Sequence, residues 1–91
     1  MKWTKPKVIE YGGMFMSTAR KKNCVAQMYW SCKNTDYYFI VEDCMTMRKY
    51  NSKAEGYIFQ TADACSVACE KCIDAMVVQR TVPKIPKQSR G

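Results

Sequence analysis

Histidine is absent from the 91 residues, and glycine and proline are scarce, at four and three. Without imidazole the chain lacks the usual general base, so Ser/His/Asp and Cys/His nucleophilic sets are excluded, and a metal site would have to be all-thiolate. Gly12 and Gly13 form a lone pair, which excludes a glycine-rich phosphate loop. No apolar run approaches the roughly 18 residues that cross a bilayer. Nor do the first 25 residues hold an apolar signal core. These two absences predict a chain with no membrane partner, cytoplasmic or organellar by default. There is no internal repeat and no low-complexity segment. The length allows one domain at most and excludes most enzyme scaffolds, so the expectation is a non-enzyme.

What is present argues for a folded body. Hydrophobic residues make up 47% of the chain and charged residues 25%, the ordinary globular balance. The net charge of +7 is unevenly placed. Residues 1–22 carry Lys2, Lys5, Lys7, Arg20, Lys21 and Lys22 against Glu10; residues 80–91 carry Arg80, Lys84, Lys87 and Arg90 with no acid. Between them, seven acids outnumber five bases, and all six cysteines lie there. The division this predicts is an extended basic recognition arm over 1–22, a cysteine-rich body over 23–79, and a basic, proline-containing tail over 80–91.

The clearest element runs from Ala62 to Val78, where Cys65, Ala68, Cys69, Cys72, Ile73 and Met76 form a continuous helical stripe. Thr61 or Asp63 can cap its start, and Pro83 and Pro86 forbid continuation into the tail. Earlier, Val25, Met28, Tyr29 and Cys32 have the spacing of one helical face and predict a short helix. Tyr37–Val41 and Tyr57–Gln60 have strand preference and predict an antiparallel pair, against a competing helix from Ile40 to Tyr50. The fold class expected is α+β, a small cysteine-rich domain with a C-terminal helix; the alternative is all-α.

Cys65, Cys69 and Cys72 stand at i, i+4 and i+7, so three sulfurs share one side of a helix. One reading makes them core atoms or disulfide halves, with partners drawn from Cys24, Cys32 and Cys44. A second adds Cys44 or Cys32 as a fourth thiolate around zinc, copper or an iron–sulfur cluster. The spacing is also that of the radical S-adenosylmethionine cluster motif, but the barrel such chemistry resembles needs on the order of 200 residues.

In the arm, Trp3, Pro6, Val8, Gly12 and Thr18 occupy the places of the aromatic, proline, aliphatic, glycine and threonine in the leader of lasso-peptide precursors, which residues 2–18 resemble. The Trp-x-Lys-Pro opening is also similar to the pyrroloquinoline quinone precursor. The resemblance implies a leader that adds as a strand to a recognition domain of a modifying enzyme, with these five residues as its partner-binding positions. It covers about a fifth of the chain. The lasso pattern would continue with a small residue and then an acid, whereas Arg20, Lys21 and Lys22 follow here, and Glu10 lacks the tyrosine four places on that the quinone precursor has.

Two functions follow as expectations. The first is a precursor or carrier peptide whose arm is read by a maturation enzyme and whose cysteine-rich body is modified or cross-linked. The second is a small cysteine-stabilised structural subunit whose cationic arms dock on a larger assembly, with RNA as a partner in a ribonucleoprotein.

Overall fold

Burial alternates along the chain. Ser17 and Ala19, then Cys24, Ala26 and Met28, then Phe39, Val41 and Asp43 are buried, while the residues between them are not. A period of two is the signature of strands with one covered face. The computed structural model describes residues 1–10, 13–31 and 33–81. It contains β1 (Lys7–Glu10), β2 (Met14–Lys21), β3 (Cys24–Ser31), β4 (Asn34–Asp43), β5 (Arg48–Asn51) and one helix, α1 (Ala62–Thr81). The strands form an antiparallel meander in the order β1-β2-β3-β4-β5. The fold is α+β.

The hairpins show how the chain turns with so little glycine. Lys22 and Asn23 join β2 to β3 with φ of 51° and 65°. Two consecutive positive values are the backbone of the type I′ turn, whose twist matches that of the strands it joins. The β4–β5 turn closes when the Met47 amide donates to the Asp43 carbonyl at 2.7 Å, with Met47 at φ 64°. After β5 the chain curls back, and Phe59 exchanges two 2.8 Å backbone bonds with Tyr37.

The helix lies on one face of the sheet. Thr61 Oγ1 accepts from the Ala64 amide at 3.1 Å, an N-cap that satisfies one of the helix's orphan donors. Cys65, Cys69, Ile73 and Met76 are buried against Cys24, Ala26, Met28, Phe39 and Val41, and together these make the core. Small side chains on β3 let the helix approach closely. Two further ties hold the helix to the N-terminal strands. Lys21 reaches Glu70 at 2.7 Å and Asp74 at 3.1 Å, and the Trp3 indole N–H donates to Ser66 Oγ at 2.9 Å.

The predicted helix at Ala62–Val78 is present and extends to Thr81. The predicted helix around Cys24–Cys32 is instead β3. An eight-residue apolar pattern fits both periods, and pairing with β2 and β4 on either side decides it. The competing helix over Ile40–Tyr50 is also absent, because this stretch is the end of β4, a turn and β5. Tyr37–Val41 falls within β4, where it pairs with β3 and, at Ile40 and Val41, with β5; the expected antiparallel pairing with Tyr57–Gln60 is reduced to the single bridge between Tyr37 and Phe59. The boundary drawn at residue 22 falls inside a hairpin, so most of the supposed arm is sheet: β2 pairs with β3 along its whole length. Gly12, Cys32 and residues 82–91 of the tail lie outside the described residues.

Candidate functional site

Alternation gives the sheet two faces of different chemistry. The face opposite the helix presents Met16, Thr18 and Arg20 from β2, Val25, Gln27 and Tyr29 from β3, Asp36, Tyr38, Ile40 and Glu42 from β4, and Lys49 and Asn51 from β5. The register arranges them in rows. Met16, Tyr29 and Tyr38 form one row, with Lys7 of β1 opposite Met16. Thr18, Gln27, Ile40 and Asn51 form the next, and Arg20, Val25, Glu42 and Lys49 the third.

Tyr29 and Tyr38 stack with ring centroids 5.1 Å apart and 12° between planes. The Tyr29 hydroxyl donates to Gln27 Oε1 at 3.0 Å. Lys53 sits 5.2 Å from the centroid of the Tyr38 ring, a cation on an aromatic face. Lys7, Arg20, Lys49 and Lys53 are all exposed. Several acids are engaged by other side chains or by the backbone. Glu70 and Asp74 pair with Lys21, Asp43 is fully buried with its carboxylate accepting from the Met45 amide, and Asp36 accepts from Gln60. On the open face Lys7, Arg20, Lys49 and Lys53 outnumber Asp36 and Glu42, the latter opposite Lys49 in register, so cations are its dominant charge.

A second surface lies on the helix side of the sheet. Between α1, β5 and the chain that follows β5 is an open groove of about 720 Å³. Phe39, Tyr50 and Phe59 form its floor, with Phe39 stacked on both of the others at 5.8 and 6.0 Å. Burial, together with the nearby Cys72, Glu55 and Tyr57, pushes the Tyr50 phenol up from its ordinary value, so it is a neutral hydroxyl.

The Cys24, Cys65 and Cys69 thiols are core atoms. Cys65 and Cys69 are fully buried, and burial pushes both up to about 12, with Cys65, Cys72, Glu70 and Cys24 adding to the effect at Cys69. Cys72 is half-buried and also raised, by burial and then by Cys24; it lies 4.0 Å from the Met76 sulfur. Protonated thiols are poor nucleophiles. Cys65, Cys69 and Cys72 share one side of the helix, as their spacing implies, but Cys44 stands exposed in the β4–β5 turn. Among the described residues no group of three or more Cys, Asp or Glu side chains is placed to hold a metal ion.

The leader-like positions are not presented together. Trp3 is half-buried against the core and bonded to the helix. Thr4 and Thr18 exchange bonds: the Thr4 amide donates to the Thr18 carbonyl at 2.8 Å, and Thr4 Oγ1 accepts from the Thr18 amide at 3.0 Å. Pro6 and Val8 are exposed, Val8 at 65%. The residues missed by sequence reasoning are Tyr29, Tyr38, Arg20 and the groove floor; the period-two alternation around Tyr29 was the available signal for the first. The chain matches no family model, no curated protein and no solved structure, so its sites are read from their own chemistry.

Proposed function

We propose that the chain is a small non-catalytic subunit that docks on a nucleic-acid-containing assembly, with its open sheet face lying against the nucleic acid. The observation that carries this reading is the uncovered face itself: an aromatic row, a row in which Thr18, Gln27 and Asn51 flank Ile40, and exposed bases at its margins that outnumber Asp36 and Glu42. Aromatic rings beside cations on a sheet suit unstacked bases and their phosphates. Lys2 and Lys5 precede β1 and extend the same charge.

This reading is preferred to the precursor one because a leader that adds as a strand to another protein needs a segment without a competing fold. Trp3, Thr4 and β2 have one, and β1 is already paired with β2.

The test is fluorescence anisotropy with labelled single-stranded RNA, single-stranded DNA and duplex DNA of mixed sequence, at several salt concentrations. Binding should weaken steeply with salt. The double variant Arg20→Glu, Lys53→Glu should lose affinity and flatten the slope of log K against log salt by about 1.4 to 1.8 if each base neutralises one phosphate. Affinity for all three probes that ignores both salt and the charge reversals would refute the proposal.

A further inference from the structure

The groove on the helix side is chemically unlike the open sheet face. Its floor is three aromatic rings, and Tyr57, 59% exposed, stands at its mouth. The helix bank carries Ala68, Ala75 and Met76, small or flexible residues that leave the concavity open. Cations stand on both banks: Lys71 on the helix and Arg48 on the strand, where Arg48 is also bonded to Gln79. Lys49, at the sheet edge, borders both surfaces. Among the described residues no acidic side chain lines the groove.

Size and polarity narrow the occupant. About 720 Å³ is room for a bulky apolar group with its neighbours. The separation of the bases onto two banks favours several carboxylates spread along a segment over the single head group of a fatty acid. A nucleic acid strand would satisfy the cations, but Phe39 is only 2% exposed and stacked on both its neighbours, so the recessed floor suits an inserted side chain better than a stacked base. The sheet adds a third constraint, because β5 is an edge strand and the groove runs beside it. An extended chain laid along that edge can pair with backbone groups while dropping one side chain onto the floor, the β-augmentation mode of peptide recognition.

We propose that this groove receives an extended segment of a protein partner in which one aromatic or large aliphatic side chain is flanked by carboxylates. The apolar anchor fills the floor made by Phe39, Tyr50 and Phe59, and the flanking carboxylates meet Arg48, Lys49 and Lys71. This inference stands apart from the nucleic-acid reading, since the groove lies on the other side of the sheet from Tyr29 and Tyr38. The two surfaces together would make the protein an adapter between a nucleic acid and an acidic protein segment.

The experiment uses the full chain and a short fluorescein-labelled peptide with phenylalanine at its centre and glutamates on both sides. Two control peptides replace the glutamates by glutamine or the phenylalanine by serine. The acidic phenylalanine peptide should bind at least about tenfold more tightly than either control, since a buried anchor dominates at such sites and three exposed charge pairs, each individually weak, act together. Ala75→Trp, at an exposed helix position, fills the groove and should weaken binding by about tenfold or more. Lys71→Glu, also at an exposed position, should weaken the acidic peptide but not the glutamine one. Circular dichroism melts of both variants serve as the check on folding. Several results would overturn the proposal: equal affinity for the acidic and glutamine peptides, no effect of Ala75→Trp in a folded protein, or an equal loss on Arg20→Glu, Lys53→Glu, which would place the peptide on the open face. Displacement of the peptide by a medium-chain fatty acid with no preference among the three peptides would assign the groove to a small amphiphile instead.

Discussion

The two faces of the sheet are built from the same strands, one residue out of phase, and they follow different rules. On the covered face of β3 the buried side chains are small or sulfur-containing, Cys24, Ala26 and Met28, because the helix must come close enough to exclude water. On the open face the side chains at the next positions are Val25, Gln27 and Tyr29, half-buried by their own neighbours and edged by bases. Shape governs the first face and charge the second. Stability should therefore reside on the helix side and recognition on the other, and substitutions of like size on the two faces should separate the two roles.

The largest effect is expected from matched isoleucines. Ile73 is fully buried under the sheet, whereas Ile40 is half-buried on the open face. Ile73→Ala should cost about 2 to 5 kcal/mol, the range for a large-to-small core change with a residual cavity. Ile40→Ala should cost no more than about 1 kcal/mol, since the site can fill with solvent. Urea denaturation of the two variants measures both. Equal costs would mean that the open face is part of the core, and the division of labour would fall.

A smaller effect sharpens the comparison at the border between core and groove. Ser52 is fully buried; its hydroxyl accepts from the Phe39 amide at 3.0 Å, and its own amide donates to the Phe39 carbonyl at 2.9 Å. Ser52→Ala strands the Phe39 amide in a dry site and should cost about 1 to 3 kcal/mol. Because Phe39 is in the groove floor, the same variant should loosen peptide binding while leaving nucleic-acid binding unchanged. A loss of nucleic-acid affinity equal to the loss of peptide affinity would show that the two faces are not independent.

How much of this was legible in the sequence depends on the range of the contacts. The helix was legible because its pattern is local: Cys65, Cys69, Ile73 and Met76 recur at helical spacing over three turns, behind a threonine cap. β3 was not, since its short run satisfies a helical face and a strand face alike, and only β2 and β4 distinguish them. The arm was misjudged for a related reason. Counting charge grouped Lys21 and Lys22 with Lys2 and Lys5, although Lys21 closes β2 against the helix and Lys22 opens a turn. That turn has no glycine, and of the usual hairpin signal Lys22-Asn23 carries only the asparagine. The groove was beyond local reading, because its residues come from β4, β5, the following loop and α1, and nothing but the completed fold brings Phe39, Tyr57 and Lys71 to one concavity.

The smallest effect tests the clamp that joins the faces at their edge. Lys21 is the last residue of β2, and its ammonium bridges Glu70 and Asp74 on the helix. The hydrogen bond from Lys21 holds the Glu70 carboxyl below its ordinary value of 4.5, and the bonds to Glu70 and then Asp74 hold the Lys21 ammonium above 10.5. A lowered carboxyl contributes stability that is complete above its unfolded value and is lost as pH falls through the folded one. A raised ammonium contributes stability that is complete below its unfolded value and is lost as pH rises through the folded one. The clamp is therefore intact across the neutral range and fails at both extremes. Its members are partly exposed, so the contribution is small and screened by salt. Glu70→Gln should lower the melting temperature slightly at neutral pH, Asp74 keeping part of the contact. The variant and parent curves should converge as pH falls below the ordinary glutamate value, and also in high salt. A gap that persists in acid or in high salt would mean that Glu70 acts through packing on the helix, and the charge clamp would have no part in holding β2 to the covered face.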